Sequence, residues 1–233
     1  MSFSAYDLTS IRFAYSPLGE VSTGVHALRT PTGRVPHLPW FTQVRPNIVR
    51  KSDPTVTSRL MTPTLRTERL LLEPYVLEDE DDFVTLFRDG RVSRWMGNGP
   101  APEAEYRALF GRIFTKVYAQ DLFDVWAVRR NGRFAGHAEI KPAKVAEGHE
   151  IIYALTPDLW GSGLGRELAE AIVAHGFDTL GLGEVYATVA APNSASLAVL
   201  DRIGFEHVRD MAEDDGSITR VLRRRAAGPT RQG

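Results

Sequence analysis

The chain contains no cysteine. Disulfides, thiolate metal sites and a cysteine nucleophile are therefore excluded. It also has almost no net charge: 28 basic residues stand against 29 acidic ones, giving −1 at neutral pH. That balance provides no global attraction to nucleic acid or to an anionic membrane surface. No window approaches the roughly 20 apolar residues that a membrane-spanning helix requires. Met1 to Ser10 carry neither the basic nor the apolar region of a secretory leader. A cytoplasmic protein without nucleic-acid or membrane partners is expected. Two common phosphate loops are missing too. No Gly-Lys-Ser/Thr closes a P-loop, and no G-x-G-x-x-G marks a dinucleotide site.

What is present divides near residue 65. Residues 1–64 are rich in proline (Pro17, Pro31, Pro36, Pro39, Pro46, Pro54, Pro63) and poor in strand alternation. Leu18, Val21, Val25 and Leu28 share one helical face, and Pro31 ends it. This part is expected to be an N-terminal extension with one short helix and a linker over Asn47 to Thr64. Residues 65–225 alternate between strand and helix patterns, and 226–233 read as a frayed tail.

Within 65–225 the expected strands are 69–74, 123–129, 134–141, 149–155, 184–190, 205–211 and 217–223. The expected helices are 78–88, 102–118, 167 to about 180, and 195–203. The acidic start of the first helix suits the positive end of the helix dipole. Asn131-Gly132 between two strand patterns signals a tight hairpin. Several strands are adjacent in sequence, so the α/β sheet is expected to be mixed. Trp126 reads as core.

The most informative segment is Trp160-Gly161-Ser162-Gly163-Leu164-Gly165-Arg166-Glu167. It follows the strand pattern Glu150–Leu155 and opens a helix. Glycines allow positive φ and close approach of backbone N–H groups to a ligand. A helix N-terminus adds unpaired N–H groups and a positive dipole end. The combination is a cradle for phosphates.

A second segment runs from Tyr186 to Phe205. A strand leads to Asn193-Ser194-Ala195-Ser196, then to a short helix ending in Gly204-Phe205. Together with Tyr153 to Gly165 and Thr67-Glu68-Arg69-Leu70-Leu71-Leu72, it resembles the GCN5-related N-acetyltransferase (GNAT) superfamily. The resemblance is to the RimJ/RimL-type branch and covers roughly residues 65–225. That branch shows Trp-Gly-x-Gly-x-Ala/Gly before its long helix, Asn-x-x-Ser before Leu-x-x-x-Gly-Phe, and Thr-x-Arg-Leu-x-Leu in its opening strand. This chain departs at Gly165-Arg166-Glu167, where Ala-Thr/Ser-Glu is more usual. Residues 11–46 resemble, faintly, the start of an ArsR-type regulator from actinomycetes, although the wing and recognition helix that should follow are missing.

The GNAT resemblance implies an α/β fold: a central, mixed, mostly antiparallel twisted sheet, splayed between two strands and flanked by helices. The N-terminal extension is not part of it. It implies acetyl-CoA as co-substrate and no metal. The diphosphate would lie on Trp160, Gly161, Ser162, Gly163, Leu164, Gly165 and Arg166. The pantetheine would run beside Tyr153, Ala154 and Leu155. Asn193 and Ser196 would complete the donor site.

The implied reaction is aminolysis of a thioester, which needs a neutral amine. A lysine side chain, with pKa near ~10.4, is about three units from neutral at pH 7, whereas an α-amine near ~8 is about one unit away. Three tasks remain: accepting a proton, stabilising the oxyanion and protonating the thiolate. Ser196 is the candidate proton donor, and Asn193 would fix the pantetheine or a water. Glu139 is the candidate base, directly or through water. His137 shares its strand face and is the rival base or a substrate contact. A backbone N–H near Ala154 or Leu155 would polarise the carbonyl. Trp95, before the loop at Met96, is the candidate acceptor contact. The acceptor is expected to be a small-molecule amine or a protein N-terminus, and the protein a monomer or homodimer. The alternative reading is a non-catalytic acyl-CoA-binding regulatory protein.

Overall fold

The computed structural model describes residues 62–96 and 99–227. The expected N-terminal helix, the regulator-like segment, the expected linker before Thr62 and most of the expected tail lie outside the described residues.

The sheet grows from a hairpin that its turn residues dictate. Strands β3 (Asp124–Arg130) and β4 (Arg133–Pro142) are joined by Asn131 and Gly132, with φ of 51° and 74°. Both values belong to a tight two-residue turn that matches strand twist, which is why Asn-Gly occurs there. β2 (Leu71–Glu73) and β1 (Leu65–Arg66) add on one side, and β5 (His149–Leu155) on the other. Beyond β5 come β6 (Glu184–Ala190), β8 (Ile218–Arg225) and β7 (Glu206–Ala212), in that spatial order. Every neighbouring pair is antiparallel except β5 and β6, which are parallel. The expected mixed, mostly antiparallel sheet is present.

Helices cover both faces. His137 on β4 meets Phe83 and Phe87 of α1 (Glu80–Arg88). α1 packs on α3 (Glu103–Arg112), with the four-residue α2 (Gly90–Ser93) between them in sequence. Ile140, three residues along β4 and so on the opposite face, faces Gly176 just beyond α4 (Leu164–Ala174). α5 (Ser194–Arg202) packs against α4. Leu164, Leu168 and Ile172 recur at helical spacing on α4, and all three are fully buried.

Three boundaries differ from expectation for local reasons. The strand expected over 69–74 begins at Leu71, because Thr67 to Leu70 form a turn. There, Thr67 N–H donates to the Leu70 carbonyl, and Leu70 N–H donates to Thr67 Oγ1. A threonine hydroxyl thus takes a backbone donor that a ladder would use. The helices expected over 102–118 and 167–180 each change to a wider π-helical turn, at Ile113–Tyr118 and His175–Thr179, and the second starts three residues early, at Leu164. The acidic start of α1 is not only solvated. Glu80 and Asp81 pair with Arg107 of α3, while the buried Asp79 accepts from Arg129.

Candidate active site

The Gly-rich turn is shaped by its own side chains. After β5 a short 3₁₀ turn (Pro157–Leu159) brings Trp160 back over the strand end, and its indole N–H donates to the Leu155 carbonyl at 2.9 Å. Ser162 Oγ donates to the Leu159 carbonyl at 2.5 Å. Gly161 and Gly163 have φ of 72° and 81°, conformations strained for any residue with a Cβ. Gly163 is the N-cap of α4 and supplies no side-chain cap. The first-turn N–H groups of a helix without a cap are available to an anion.

Beside this helix start the sheet opens. β5 and β6 pair only at His149–Val185 and Glu150–Tyr186. Past Glu150 the ladder between them stops, although β5 stays paired with β4 through Leu155. The backbone edge of Ile151 to Leu155 therefore faces a wedge between two diverging strands. An extended chain carrying amides could add to that edge.

Turn and wedge form one cleft of about 490 Å³. Most of the expected site residues meet in it: Trp95, Tyr153, Ala154, Leu155, Trp160, Gly161, Gly163, Gly165, Arg166, Asn193 and Ser196. Two expected cofactor residues are not on its wall. Leu164 is fully buried, with its side chain in the core. Ser162 is exposed but turned away, its hydroxyl held by Leu159 and its carbonyl by Arg69. Arg202, at the end of α5, lines the cleft and was not expected there. The lining residues include the cations Arg166 and Arg202, and among them no Asp, Glu or His.

Asn193 is buried and caps α5: its Oδ1 accepts the backbone N–H of Ser196 at 3.2 Å. Ser196, in the first turn, interacts through its side chain with the buried Tyr153 phenol. Burial pushes that phenol well above its ordinary value, and the nearby Ser196 side chain offsets only part of the rise. Tyr153 is thus protonated at neutral pH. Trp95 is half-buried on the cleft wall beneath the Arg94 guanidinium, 4.9 Å from its ring centre.

Glu139 and His137 are not brought to the cleft. Both are fully buried on the α1-facing side of β4. Tyr75 Oη lies 2.8 Å from His137 Nδ1, His137 Nε2 lies 3.0 Å from Glu139 Oε1, and Lys141 Nζ lies 3.0 Å from Glu139 Oε2. Burial alone would raise the Glu139 pKa, but the Lys141 ammonium and the His137 hydrogen bond hold it below the usual carboxylate value. With its oxygens beside His137 and Lys141 and its side chain fully buried, the carboxylate sits in the core and not among the described residues that line the cleft. The i, i+2, i+4 spacing of His137, Glu139 and Lys141 puts all three on one strand face; Lys141 was the member that sequence reading missed.

Comparison with known proteins agrees with this geometry. A family model described as an acetyltransferase (GNAT) domain matches residues 69–206, more than half of the chain. The uncharacterized N-acetyltransferase YoaA of Bacillus subtilis is 29% identical over 153 residues, covering 63% of this chain and 84% of that protein. An FsC-acetyl coenzyme A-N(2)-transacetylase of Aspergillus fumigatus is 29% identical over 155 residues, 63% of this chain and 66% of its own length. Among solved structures, a GNAT-family acetyltransferase from Bacillus anthracis superposes with a TM-score of 0.61 at 18% identity. That superposition covers 70% of this chain and 98% of the other.

Proposed function

The chain belongs to the GNAT acetyltransferase family, and from that premise we propose that it moves an acetyl group from acetyl-CoA to a weakly basic primary amine by direct attack in a ternary complex. One observation carries the reading: the wedge between β5 and β6 and the uncapped start of α4 are one continuous cleft, with Ser196 on its wall. The residues fit the co-substrate. The first-turn N–H groups of α4, with Gly161 and Gly163 clearing space, would hold the diphosphate. The free edge of β5 would pair with the pantetheine amides. Arg166 and Arg202 add positive charge where phosphates would lie.

Acetyl-CoA supplies the activated acetyl thioester. The amine nitrogen forms a bond to the acetyl carbon, and the bond from carbon to sulfur breaks. A backbone N–H near Ala154 or Leu155 stabilises the developing oxyanion. Ser196 Oγ delivers a proton to the leaving sulfur and takes one back from solvent, with the protonated Tyr153 phenol beside it. The nitrogen loses its proton to water, because no acid or imidazole lies among the described residues lining this cleft. That absence favours an acceptor that is already partly neutral at pH 7. An α-amine with pKa near ~8 suits the site better than a lysine near ~10.4. A protein N-terminus, as the RimJ/RimL-type motifs imply, or a small-molecule amine of similar basicity would meet the requirement.

The test is calorimetric titration of the full chain with acetyl-CoA, followed by thiol-release assays with dipeptides and small amines. Micromolar binding and turnover of α-amines support the proposal. Binding without turnover of any amine would favour the non-catalytic acyl-CoA-binding reading, and absence of binding would overturn both.

A further inference from the structure

We propose that Thr67, Arg69 and Glu167 form a clamp that sets the Gly-rich turn for the diphosphate, so that Arg69 is a positioning residue for the acyl donor and not a phosphate ligand. The inference rests on the acetyl-CoA reading above.

The clamp joins segments about a hundred residues apart. Thr67 Oγ1 donates to Glu167 Oε1 at 2.5 Å. The Arg69 backbone N–H donates to the same oxygen at 2.8 Å, and Arg69 Nε donates to Oε2 at 2.7 Å. The guanidinium then reaches past Glu167, and Nη1 donates to the Ser162 carbonyl at 3.0 Å. Glu167 itself sits in the first turn of α4, its N–H donating to the Gly163 carbonyl at 3.3 Å. Arg69 thus holds the turn at Ser162 and, through Glu167, the helix start next to it.

The arrangement explains three otherwise separate features. Thr67 breaks the strand expected from residue 69 because the turn it forms is what presents Arg69. Glu167 places a carboxylate beside a proposed anion site, which makes sense only if its charge is consumed. Burial would raise the Glu167 pKa, but the Thr67 hydroxyl, the Arg69 N–H and the Arg69 guanidinium hold it below the ordinary value. Arg69, finally, directs its backbone N–H, Nε and Nη1 at protein oxygens, and its Nη2 lies beside Gly163. A turn whose glycines permit many conformations gains most from an external brace, because unconstrained glycine loses the most entropy on ordering. Binding is tighter when that ordering is done beforehand.

The test compares CoA, titrated calorimetrically, with pantetheine, which lacks the diphosphate and is titrated by NMR. Arg69→Met and Glu167→Gln should each weaken CoA roughly tenfold, and Thr67→Val about threefold, while pantetheine affinity stays within about twofold. Glu167→Gln is the sharpest arm. Removing a negative charge near a diphosphate should tighten CoA if only electrostatics acted, or if a freed Arg69 bound the phosphates directly. Tighter or unchanged CoA binding in Glu167→Gln overturns the clamp. Equal loss of CoA and pantetheine also overturns it, since that marks general damage. Thr67→Val, which removes one hydroxyl, answers the same question should the other variants not fold. Wild-type protein that binds no CoA sinks the clamp together with the acetyl-CoA reading, whereas wild-type binding with indifferent variants sinks the clamp alone.

Discussion

Asn193 Oδ1 accepts the backbone N–H of Ser196 at 3.2 Å, so the residue that caps α5 also fixes where the Ser196 side chain starts. Cap and active-site geometry are one contact. Asn193→Ala should destabilise the protein by about 1 kcal/mol, the usual cost of losing such a cap. It should also lower turnover, because Ser196 loses its anchor. Asn193→Ser keeps a capping oxygen and should recover most of the stability. Thermal unfolding and kcat, measured on the same three proteins, check both statements. Asn193→Ala with unchanged kcat would separate the cap from the chemistry.

Ser196→Ala should reduce kcat roughly 100-fold, the lower end of what a positioned proton donor contributes. CoA affinity should stay nearly constant, because the contacts proposed for the diphosphate and pantetheine lie elsewhere in the cleft. A leaving thiolate that needs no proton removes the penalty. A thioester of a more acidic thiol should therefore narrow the gap between variant and wild type. A parallel loss of CoA affinity would instead make Ser196 a binding residue.

Gly163 has φ of 81° and caps α4 without a side chain. Gly163→Glu combines backbone strain with a carboxylate at the anion cradle. Left-handed backbone costs about 1–2 kcal/mol for a residue with a Cβ, and the charge opposes the diphosphate. Calorimetry should show CoA binding lost, with the fold retained by circular dichroism. Gly163→Ala carries the strain without the charge and should fall between the two.

With no acid or imidazole among the described residues of the cleft wall, kcat/KM should rise with pH along the acceptor's own amine titration. Acceptors of different pKa should move the midpoint by the same amount as their own values differ. A midpoint fixed near pH 6–7 for every acceptor would point to an enzyme base.

Much of this was legible because the signals were local. Asn131-Gly132 announced its turn, and the strands 149–155 and 184–190 were found with the bounds they have in the structure. Gly161, Gly163, Asn193 and Ser196 reached one cleft, as the two motifs implied. What was not legible depends on partners distant in sequence. Glu167 reads as an ordinary first-turn acid until Thr67 and Arg69 are seen against it. Glu139 interrupts an apolar strand, which suggests either catalysis or a buried pair. Only the packing of α1 over that face of β4 decides between them. The sequence also could not reveal that the wedge opens after Glu150, because a strand's pattern does not say how far its neighbour stays paired.

The fate of Glu139 gives the most discriminating stability experiment. Its carboxylate joins His137 and Lys141 in the core, all three fully buried. Glu139→Gln removes the carboxylate that lies 3.0 Å from the buried Lys141 ammonium and should cost about 3–5 kcal/mol. Adding Lys141→Met removes the ammonium as well, and the double variant should regain part of that loss, since replacing both members of a buried pair costs less than breaking it. The pH dependence has a definite sign. Burial raises the Glu139 pKa, but Lys141 and His137 bring it below the ordinary 4.5. Its contribution is therefore fully present above the unfolded value and is lost as pH falls through the lower folded value. Wild-type melting temperature should drop on acidification below about pH 4.5, and the double variant should lack that part of the slope. Activity is the second readout. If Glu139 only holds the core, kcat per folded molecule in the double variant stays within about threefold of wild type. A loss of roughly 100-fold, typical of removing a general base, together with a lost acidic limb in the pH–rate profile, would restore Glu139 to the chemistry and require a water path from β4 to the wedge.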